Sequence, residues 1–255
     1  MKSALDPAQR LGIDLGSRTT KLVWLSGGEI ESFEVFLTVH DPWRRLAEAV
    51  RGVPPKQIVG TGYGRGLLQE RLGCAVVSEI TACARGAGRL CPGARTVLDI
   101  GGQDAKAIAV TPAGGVAAFE MNDRCAAGTG RFLEVMASAL GYDLEGFWQA
   151  ALAAESATSL SSMCTVFAET EVVTLVTSGV ARESLALGLH QAIAERFGDL
   201  VARVGLVGDL LLVGGGAYNQ CLRRLLEQRL GVAVTTVETP QIVSALGAAL
   251  LGPLP

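Results

Sequence analysis

Apolar residues along the chain alternate between strand-like and helix-like spacing, and the most regular strand pattern occurs twice. Residues 13–23 and 98–108 each read as an apolar strand, a glycine-bearing polar turn and a second apolar strand. The two copies match at an offset of 85 residues (99 − 14), with Asp, Gly and Lys at equivalent positions. The pattern therefore predicts two β-hairpins in a duplicated, two-lobed α/β protein.

Helical spacing follows each hairpin. Ser78 and Asn219 are candidate N-caps, and Pro240 fits a first helical turn. We place the lobe boundary at Cys91-Pro92-Gly93, which gives a first lobe of residues 1–92 plus 240–255 and a second lobe of residues 93–239. The predicted helices are 42–51, 77–88, 126–140, 165–177, 185–197, 220–228 and 240–251, and the further predicted strands are 57–61 and 210–213.

Composition narrows the possible classes of protein. The chain has 255 residues, of which 49% are hydrophobic and 18% charged, so a disordered chain is excluded. No apolar stretch reaches the roughly 20 residues of a membrane span, and residues 1–10 lack a signal-peptide core, so we expect a cytoplasmic protein with no membrane partner. A net charge of -3 without a basic cluster argues against nucleic acid as a partner.

Both hairpins have the features of a nucleotide phosphate site. Glycine lets backbone amides point at phosphates, and a nearby carboxylate can hold the accompanying Mg²⁺. A single Asp-x-Gly would more simply be a turn, but two copies with a glycine triplet downstream favour a nucleotide, ATP or ADP. The candidates are Asp14 and Asp99 for Mg²⁺, Gly16, Ser17, Gly101 and Gly102 for the phosphates, and Lys21 and Lys106, either of which could reach a phosphate oxygen.

Other nucleotide-binding motifs are missing from the sequence. There is no G-x-x-x-x-G-K-[ST], and neither the glycines at 62, 64 and 66 nor those at 128 and 130 complete G-x-G-x-x-G. The triplet Gly214, Gly215 and Gly216 follows a predicted strand, which fits either a close approach to an adenosine or a tight strand-to-helix turn.

Two of the six cysteines precede predicted helices. The positive end of a helix lowers the pKa of a thiol, so Cys125 and Cys164 are candidate ligands of an iron–sulfur cluster. Two cysteines cannot complete a four-cysteine shell, but two chains related by a twofold axis can. Spacing alone leaves ordinary thiols as an open alternative. Gly128 and Gly130 would fit a close approach to such a cluster or to the same helix of the second chain, or an irregular first helical turn.

Seven motifs resemble one family of ATPases block by block. The resemblance is to the activators of 2-hydroxyacyl-CoA dehydratases and the related ATPase subunits of benzoyl-CoA reductases, within the actin, sugar kinase and heat-shock chaperone superfamily. It runs from Gly12 to about Leu251. The motifs are GIDLGSRTTK, TGYGR, SEITACARGA, DIGGQDAK, MNDRCAAGTGRFLEVMA, CTVFAETEV and LLVGGGAYN.

This resemblance implies an actin-like (ribonuclease H-like) fold of two lobes with ATP between them. It also implies a homodimer in which one 4Fe–4S cluster bridges the two chains through Cys125 and Cys164 of each. ATP hydrolysis would drive low-potential electrons to a partner, either a 2-hydroxyacyl-CoA dehydratase, a benzoyl-CoA-type reductase or a related metallocluster reductase. Ferredoxin or flavodoxin is the expected electron donor, and oxygen sensitivity is expected of the cluster.

Two points remain alternatives at the level of sequence. Gln103 follows Gly101 and Gly102, the candidate phosphate residues of the second hairpin. There it either orients the attacking water or is a solvated turn residue. A sugar or acetate kinase on the same fold, without a cluster, is the alternative function.

Overall fold

The computed structural model describes residues 9–38, 42–54, 57–122, 126–161 and 164–252. The described chain divides into two compact units. Unit 1 takes its residues from Met1–Ala94, Val110–Ala117 and Val237–Pro255, and unit 2 takes its residues from Arg95–Ala109 and Ala118–Thr236. Two mixed five-stranded sheets with helices confirm the predicted α/β class.

The sheet of unit 1 has the order β3-β2-β1-β4-β5. Strand β1 pairs antiparallel with β2 and parallel with β4, so the hairpin leads into the centre of the sheet. The strands are β1 (Arg10–Leu15), β2 (Thr19–Ser26), β3 (Glu29–Leu37), β4 (Ile58–Thr61) and β5 (Ala75–Val76). The helices are α1 (Trp43–Ala49), α2 (Arg65–Leu72), α3 (Glu79–Leu90) and, near the end of the chain, α9 (Val243–Leu251).

The second sheet has the equivalent order, β8-β7-β6-β9-β10. Here β6 pairs antiparallel with β7 and parallel with β9, as β1 does with β2 and β4. The strands are β6 (Thr96–Ile100), β7 (Ala105–Val110), β8 (Val116–Asn122), β9 (Leu210–Gly214) and β10 (Val234–Thr236). The helices are α4 (Gly130–Ala139), α5 (Leu144–Ala153), α6 (Thr165–Thr177), α7 (Arg182–Val204) and α8 (Gln220–Leu230).

Each unit has its own apolar core. In unit 1 the buried side chains of β1, such as Leu11 and Ile13, pack with residues of β2, β4 and α2. In unit 2 three fully buried phenylalanines, Phe132, Phe147 and Phe197, come from α4, α5 and α7. Burying large aromatic side chains contributes strongly to the stability of a core, so these three residues stabilise the packing of α4, α5 and α7 in unit 2.

Several predicted boundaries are confirmed and others are wrong. Ser78 caps α3 by accepting a bond from the Thr81 amide, and α6 occupies the predicted residues. Helix α4 begins at Gly130 rather than residue 126, because the hydroxyl of Thr129 bonds to the Ala126 carbonyl in a turn. Before α9, Pro240–Ile242 form a 3-10 turn. Within the described ranges, no helix has both the length and the apolarity needed to cross a bilayer.

Candidate functional site

The first hairpin brings Asp14 and Lys21 together. They are cross-strand partners in β1 and β2, and Lys21 Nζ lies 2.9 Å from Asp14 Oδ2. Both side chains are largely buried, at 15% and 10% exposure, so the ammonium group offsets the cost of burying the carboxylate. The turn is closed by the Gly16 amide, which donates to the Thr19 carbonyl at 3.2 Å. Ser17 is half-buried at its tip.

A second loop of unit 1, unassigned by the sequence analysis, lies against Asp14. Gly62 follows β4 with φ +95°, and a Cβ there would lie 2.5 Å from Asp14 Oδ1. The Gly64 amide donates to the Leu15 carbonyl at 2.8 Å. At position 62 only glycine fits, since both the positive φ and the short distance to Asp14 exclude a side chain. The TGYGR motif therefore shapes the surroundings of the candidate metal carboxylate.

The second hairpin holds two carboxylates beside Lys106. Lys106 Nζ lies 2.7 Å from Asp104 Oδ1 and 4.0 Å from Asp99 Oδ2, and its side chain is 4% exposed. The Gly101 amide donates to the Asp104 carbonyl at 2.9 Å, which closes the turn, and Gln103 is exposed within it. Sequence reasoning missed Asp104, which lies just before β7 and two residues before Lys106, a spacing that places both side chains on the same side of an extended chain.

The glycine triplet after β9 is the counterpart of the Gly62 loop. Gly214 has φ +78°, and a Cβ there would lie 2.3 Å from Asp99 Oδ1. Gly215 is exposed, and a Cβ at Gly216 would lie 2.5 Å from Ile100 Cβ. The sheet register gives the equivalence: Asp14 pairs with Thr61, which precedes Gly62, and Asp99 pairs with Val213, which precedes Gly214. The sequence carried a signal for this equivalence, because both loops have two glycines separated by one residue, Gly62 and Gly64 in one and Gly214 and Gly216 in the other.

The carboxylates do not form a preassembled metal cage. Among the residues the structure describes, no three His, Cys, Asp or Glu side chains converge on a common point. Mg²⁺ in nucleotide sites keeps several waters and uses one or two carboxylates together with the phosphates. Asp14 and Asp99, one carboxylate from each hairpin, therefore fit the chemistry that Mg²⁺ requires.

Cys164 differs from the other described cysteines in its exposure. It is the exposed N-cap residue of the 13-residue helix α6, whereas Cys74, Cys83 and Cys221 are buried and Cys91 is half-buried. Burial raises the pKa of the Cys221 thiol to about 11 and also raises that of Cys74, which disfavours the thiolate a metal needs. Cys125 lies outside the described residues.

The start of α4 is bonded to the second hairpin. The Gly130 amide donates to the Gly101 carbonyl at 2.9 Å, and the Arg131 amide donates to the Gly102 carbonyl at 2.8 Å. A Cβ at Gly130 would lie 2.9 Å from the Gly101 oxygen, so Gly130 lets α4 approach this hairpin closely. The approach of Gly128 and Gly130 to a cluster stays a prediction. Gly128 (φ +84°) lies near the side chains of Asn122 and Phe197.

Comparison with known proteins assigns the family. The model of the BadF/BadG/BcrA/BcrD ATPase family matches residues 11–252. The chain belongs to that family. The activator of lactoyl-CoA dehydratase from Anaerotignum propionicum is 42% identical over 249 residues, which cover 94% of this chain and 95% of the relative. The resemblance stated from the motifs is confirmed, and the protein is an ATPase.

Solved structures of the family have the same fold. Component A of (R)-2-hydroxyglutaryl-CoA dehydratase from Acidaminococcus fermentans matches with a TM-score of 0.87 and 38% identity, over 96% of this chain and 97% of that one. The activator of 2-hydroxyisocaproyl-CoA dehydratase from Clostridium difficile, with bound ADPNP, matches with a TM-score of 0.86 and 35% identity, over 96% and 94%. The predicted actin-like fold is confirmed.

Proposed function

We propose that this ATPase is a reductive activator, which couples ATP hydrolysis to the delivery of low-potential electrons to a partner enzyme. The relatives named above are activators or components of CoA dehydratases. The partner would accordingly be an iron–sulfur dehydratase or reductase that acts on a CoA thioester. The proposal includes a homodimer, Mg²⁺ with the nucleotide, and one 4Fe–4S cluster for two chains.

The observation that carries the proposal is the hydrogen-bonded link between the second hairpin and α4. The amides of Gly130 and Arg131 bond to the carbonyls of Gly101 and Gly102, the glycines assigned to phosphate. Helix α4 in turn packs on α6, whose N-cap residue is Cys164. A change at the phosphates of a bound nucleotide therefore has a direct path, within unit 2, to the segment that holds a cluster cysteine.

The residues present fit a cluster shared between two chains. Cys164 is exposed at the N-terminus of α6, where its thiol is accessible to a ligand and to a second chain. The adjoining face of α6 is apolar and exposed, with Val166 at 68% and Phe167 at 66%, which suits burial against a second copy. Cys125 would supply the other ligand of each chain. When bound, a 4Fe–4S cluster supplies a one-electron carrier.

The hairpins perform the hydrolytic half of the activity. Asp14 and Asp99 would hold the hydrated Mg²⁺, and the loop amides at Gly16, Ser17, Gly101 and Gly102 would bind phosphate oxygens. Lys21 and Lys106, already beside these carboxylates, would balance the charge of the phosphates. Gln103 is exposed in the turn that follows Gly102 and would orient the attacking water.

Iron and acid-labile sulfide analysis of anaerobically purified variants tests the cluster. We expect about two iron atoms per chain in the wild type, and almost none in Cys164→Ala or Cys125→Ala. The matched control is Cys91→Ala, which removes a half-buried thiol and should retain the iron. Full iron in Cys164→Ala would refute the shared cluster.

A second measurement tests the coupling to the nucleotide. The reduced wild-type protein with Mg-ATP should transfer electrons to a CoA dehydratase or reductase partner, whereas the protein with Mg-ADP should not. An iron-free wild-type protein that phosphorylates a sugar or acetate would instead establish the kinase alternative.

A further inference from the structure

His190 lies within α7 and its ring is fully buried in unit 2. Its Nδ1 lies 2.7 Å from the Ala186 carbonyl oxygen, and its Nε2 lies 2.9 Å from Asn219 Nδ2. The Phe147 ring covers it at a centroid distance of 4.5 Å. A carbonyl only accepts and an amide nitrogen only donates, so both contacts require one tautomer, with Nδ1–H as donor and Nε2 as acceptor.

Asn219 is fixed at the junction between the glycine triplet and α8. Its backbone amide donates to the Gly216 carbonyl at 3.1 Å, and its side-chain Oδ1 accepts from the Leu222 amide at 2.9 Å. This second bond sets the orientation of the side-chain amide, so Nδ2 faces His190. The residue therefore joins three parts of unit 2: the turn, the start of α8, and α7.

The turn held by Asn219 is the one that meets Asp99. Gly214 approaches so closely that a Cβ would lie 2.3 Å from Asp99 Oδ1 and 2.5 Å from the Ile100 carbonyl oxygen. With so little clearance, the position of the turn sets the space around the carboxylate. A loosened turn would change both this space and the glycine backbone that faces the nucleotide.

We infer that His190 is a positioning residue of the nucleotide site, acting through Asn219 to hold the Gly214–Gly216 turn against Asp99. The inference rests on the proposed function, since it takes this turn and Asp99 as part of the nucleotide site. Burial lowers the pKa of His190 to about 4, so the ring is neutral near pH 7 and retains the acceptor at Nε2. Any donor left unsatisfied in this buried place would cost stability of the turn.

The affinity of the full-length protein for ADP, measured by calorimetry, tests the inference. His190→Asn keeps a group near Nδ1 but removes the acceptor for Asn219, and we expect the Kd for ADP to rise about tenfold. His190→Gln places an oxygen near the position of Nε2 and should restore the Kd to within about threefold of the wild type. Tyr142→Phe, the control, removes a 3.0 Å hydrogen bond to Glu183 elsewhere in unit 2 and should leave the Kd unchanged.

A double variant separates positioning from general damage. If His190 acts through Asn219, His190→Asn should add less than about twofold to the loss caused by Asn219→Ala. Full additivity of the two losses would overturn the inference. So would a wild-type Kd in His190→Asn alongside a clear loss in Asn219→Ala.

The ¹⁵N imidazole spectrum of the wild type keeps the inference testable if His190→Asn does not fold. The chain has two histidines, so loss of a signal in His190→Gln assigns the ¹⁵N imidazole spectrum of His190. At pH 7 we expect the neutral tautomer with the proton on Nδ1, and any other form would overturn the inference.

Wild-type ADP affinity in both Asp99→Asn and Gly214→Ala would refute the placement of the nucleotide. A loss of ADP affinity in those two variants without a loss in His190→Asn would refute only the role of His190.

Discussion

Asp14 and Asp99 each combine a buried carboxylate, a neighbouring lysine and a glycine at contact distance. An isolated buried carboxylate is costly, so the lysines stabilise the hairpins when no cation is bound. Lys21 bonds to Oδ2 of Asp14 while Gly62 lies against Oδ1. Gly214 lies in the same way against Oδ1 of Asp99, whereas Lys106 lies 4.0 Å from Oδ2 of Asp99 and bonds to Asp104. The two carboxylates are therefore held in place before any nucleotide arrives.

Substitution of either aspartate should abolish hydrolysis without removing iron. Asp14→Asn and Asp99→Asn keep the shape of the side chain but remove the charge proposed to hold Mg²⁺, so we expect Mg-ATP hydrolysis to fall about 100-fold or more. Phosphate release measures this loss, and iron analysis of the same samples should equal the wild type. Asp209→Asn, an exposed carboxylate just before β9, is the matched control. Wild-type hydrolysis in either hairpin variant would contradict the assignment of Asp14 and Asp99 to the metal.

Candidate site residues that occur in both copies of the hairpin repeat were predicted from the sequence, whereas some residues that occur in one place only were missed. Asp14, Lys21, Asp99 and Lys106 stood out because the repeat aligned them, and the structure brings each aspartate to its lysine. Asp104 has no acidic counterpart in the first hairpin, where Thr19 occupies its place, so the repeat could not indicate it. The bond from His190 to Asn219 joins residues 29 positions apart and leaves no local pattern.

Helices α3 and α9 pack at backbone contact distance within unit 1. A Cβ at Gly247 would lie 1.7 Å from the Ala82 carbonyl oxygen, and a Cβ at Gly86 would lie 2.0 Å from the Val243 carbonyl oxygen. Helix α9 also lies on β1, where a Cβ at Gly12 would lie 1.9 Å from the Ala245 carbonyl oxygen. Such contacts leave no volume for even one methyl group.

Gly247→Ala should therefore destabilise unit 1. We expect a loss of about 3 kcal/mol or more, which corresponds to a fall in Tm of roughly 6 to 12 °C for a chain of this size. Gly66→Ala provides the contrast, because Gly66 lies in α2 with open space where its Cβ would be. That change should raise stability by about 0.5–1 kcal/mol through the better helix propensity of alanine. Equal Tm values for the two variants, by calorimetry, would contradict the close packing.

Elements were predictable where their ends carried a chemical signal. The caps at Ser78 and Asn219 located α3 and α8, since a polar side chain there satisfies exposed helix amides. Helices α2 and α5 were missed, and so were β3, β5, β8 and β10. Most residues of β3 are exposed on an edge strand, so it lacks the alternation that marks a half-buried strand.

The two units share one sheet topology but differ in what lies between their third and fourth strands. Among the described residues, α1 is the only α-helix between β3 and β4 in unit 1, whereas in unit 2 the helices α4 to α7 lie between β8 and β9. Cys125 and Cys164 both fall in this larger segment, and the hairpins fall outside it. The features assigned to the nucleotide are thus duplicated, and those assigned to the cluster occur once.

This separation predicts that oxygen should remove the cluster and weaken the dimer while leaving nucleotide binding intact. In the proposed dimer each chain supplies two cysteine ligands, so a shared cluster would link iron content to association of the chains. After exposure to air, sedimentation should show a shift toward monomer together with loss of iron. The protein should keep measurable affinity for ADP, because no cysteine lies in either hairpin.

Cys164→Ala is the matched control for this experiment. Without the proposed ligand, the variant should sediment as a monomer both before and after air, and it should bind ADP like the air-exposed wild type. A wild-type monomer that keeps its full complement of iron would exclude the shared cluster, because two cysteines from one chain would then suffice. Joint loss of iron and ADP binding would instead show that the cluster supports the nucleotide site, contrary to the division between the hairpins and the α4–α7 segment.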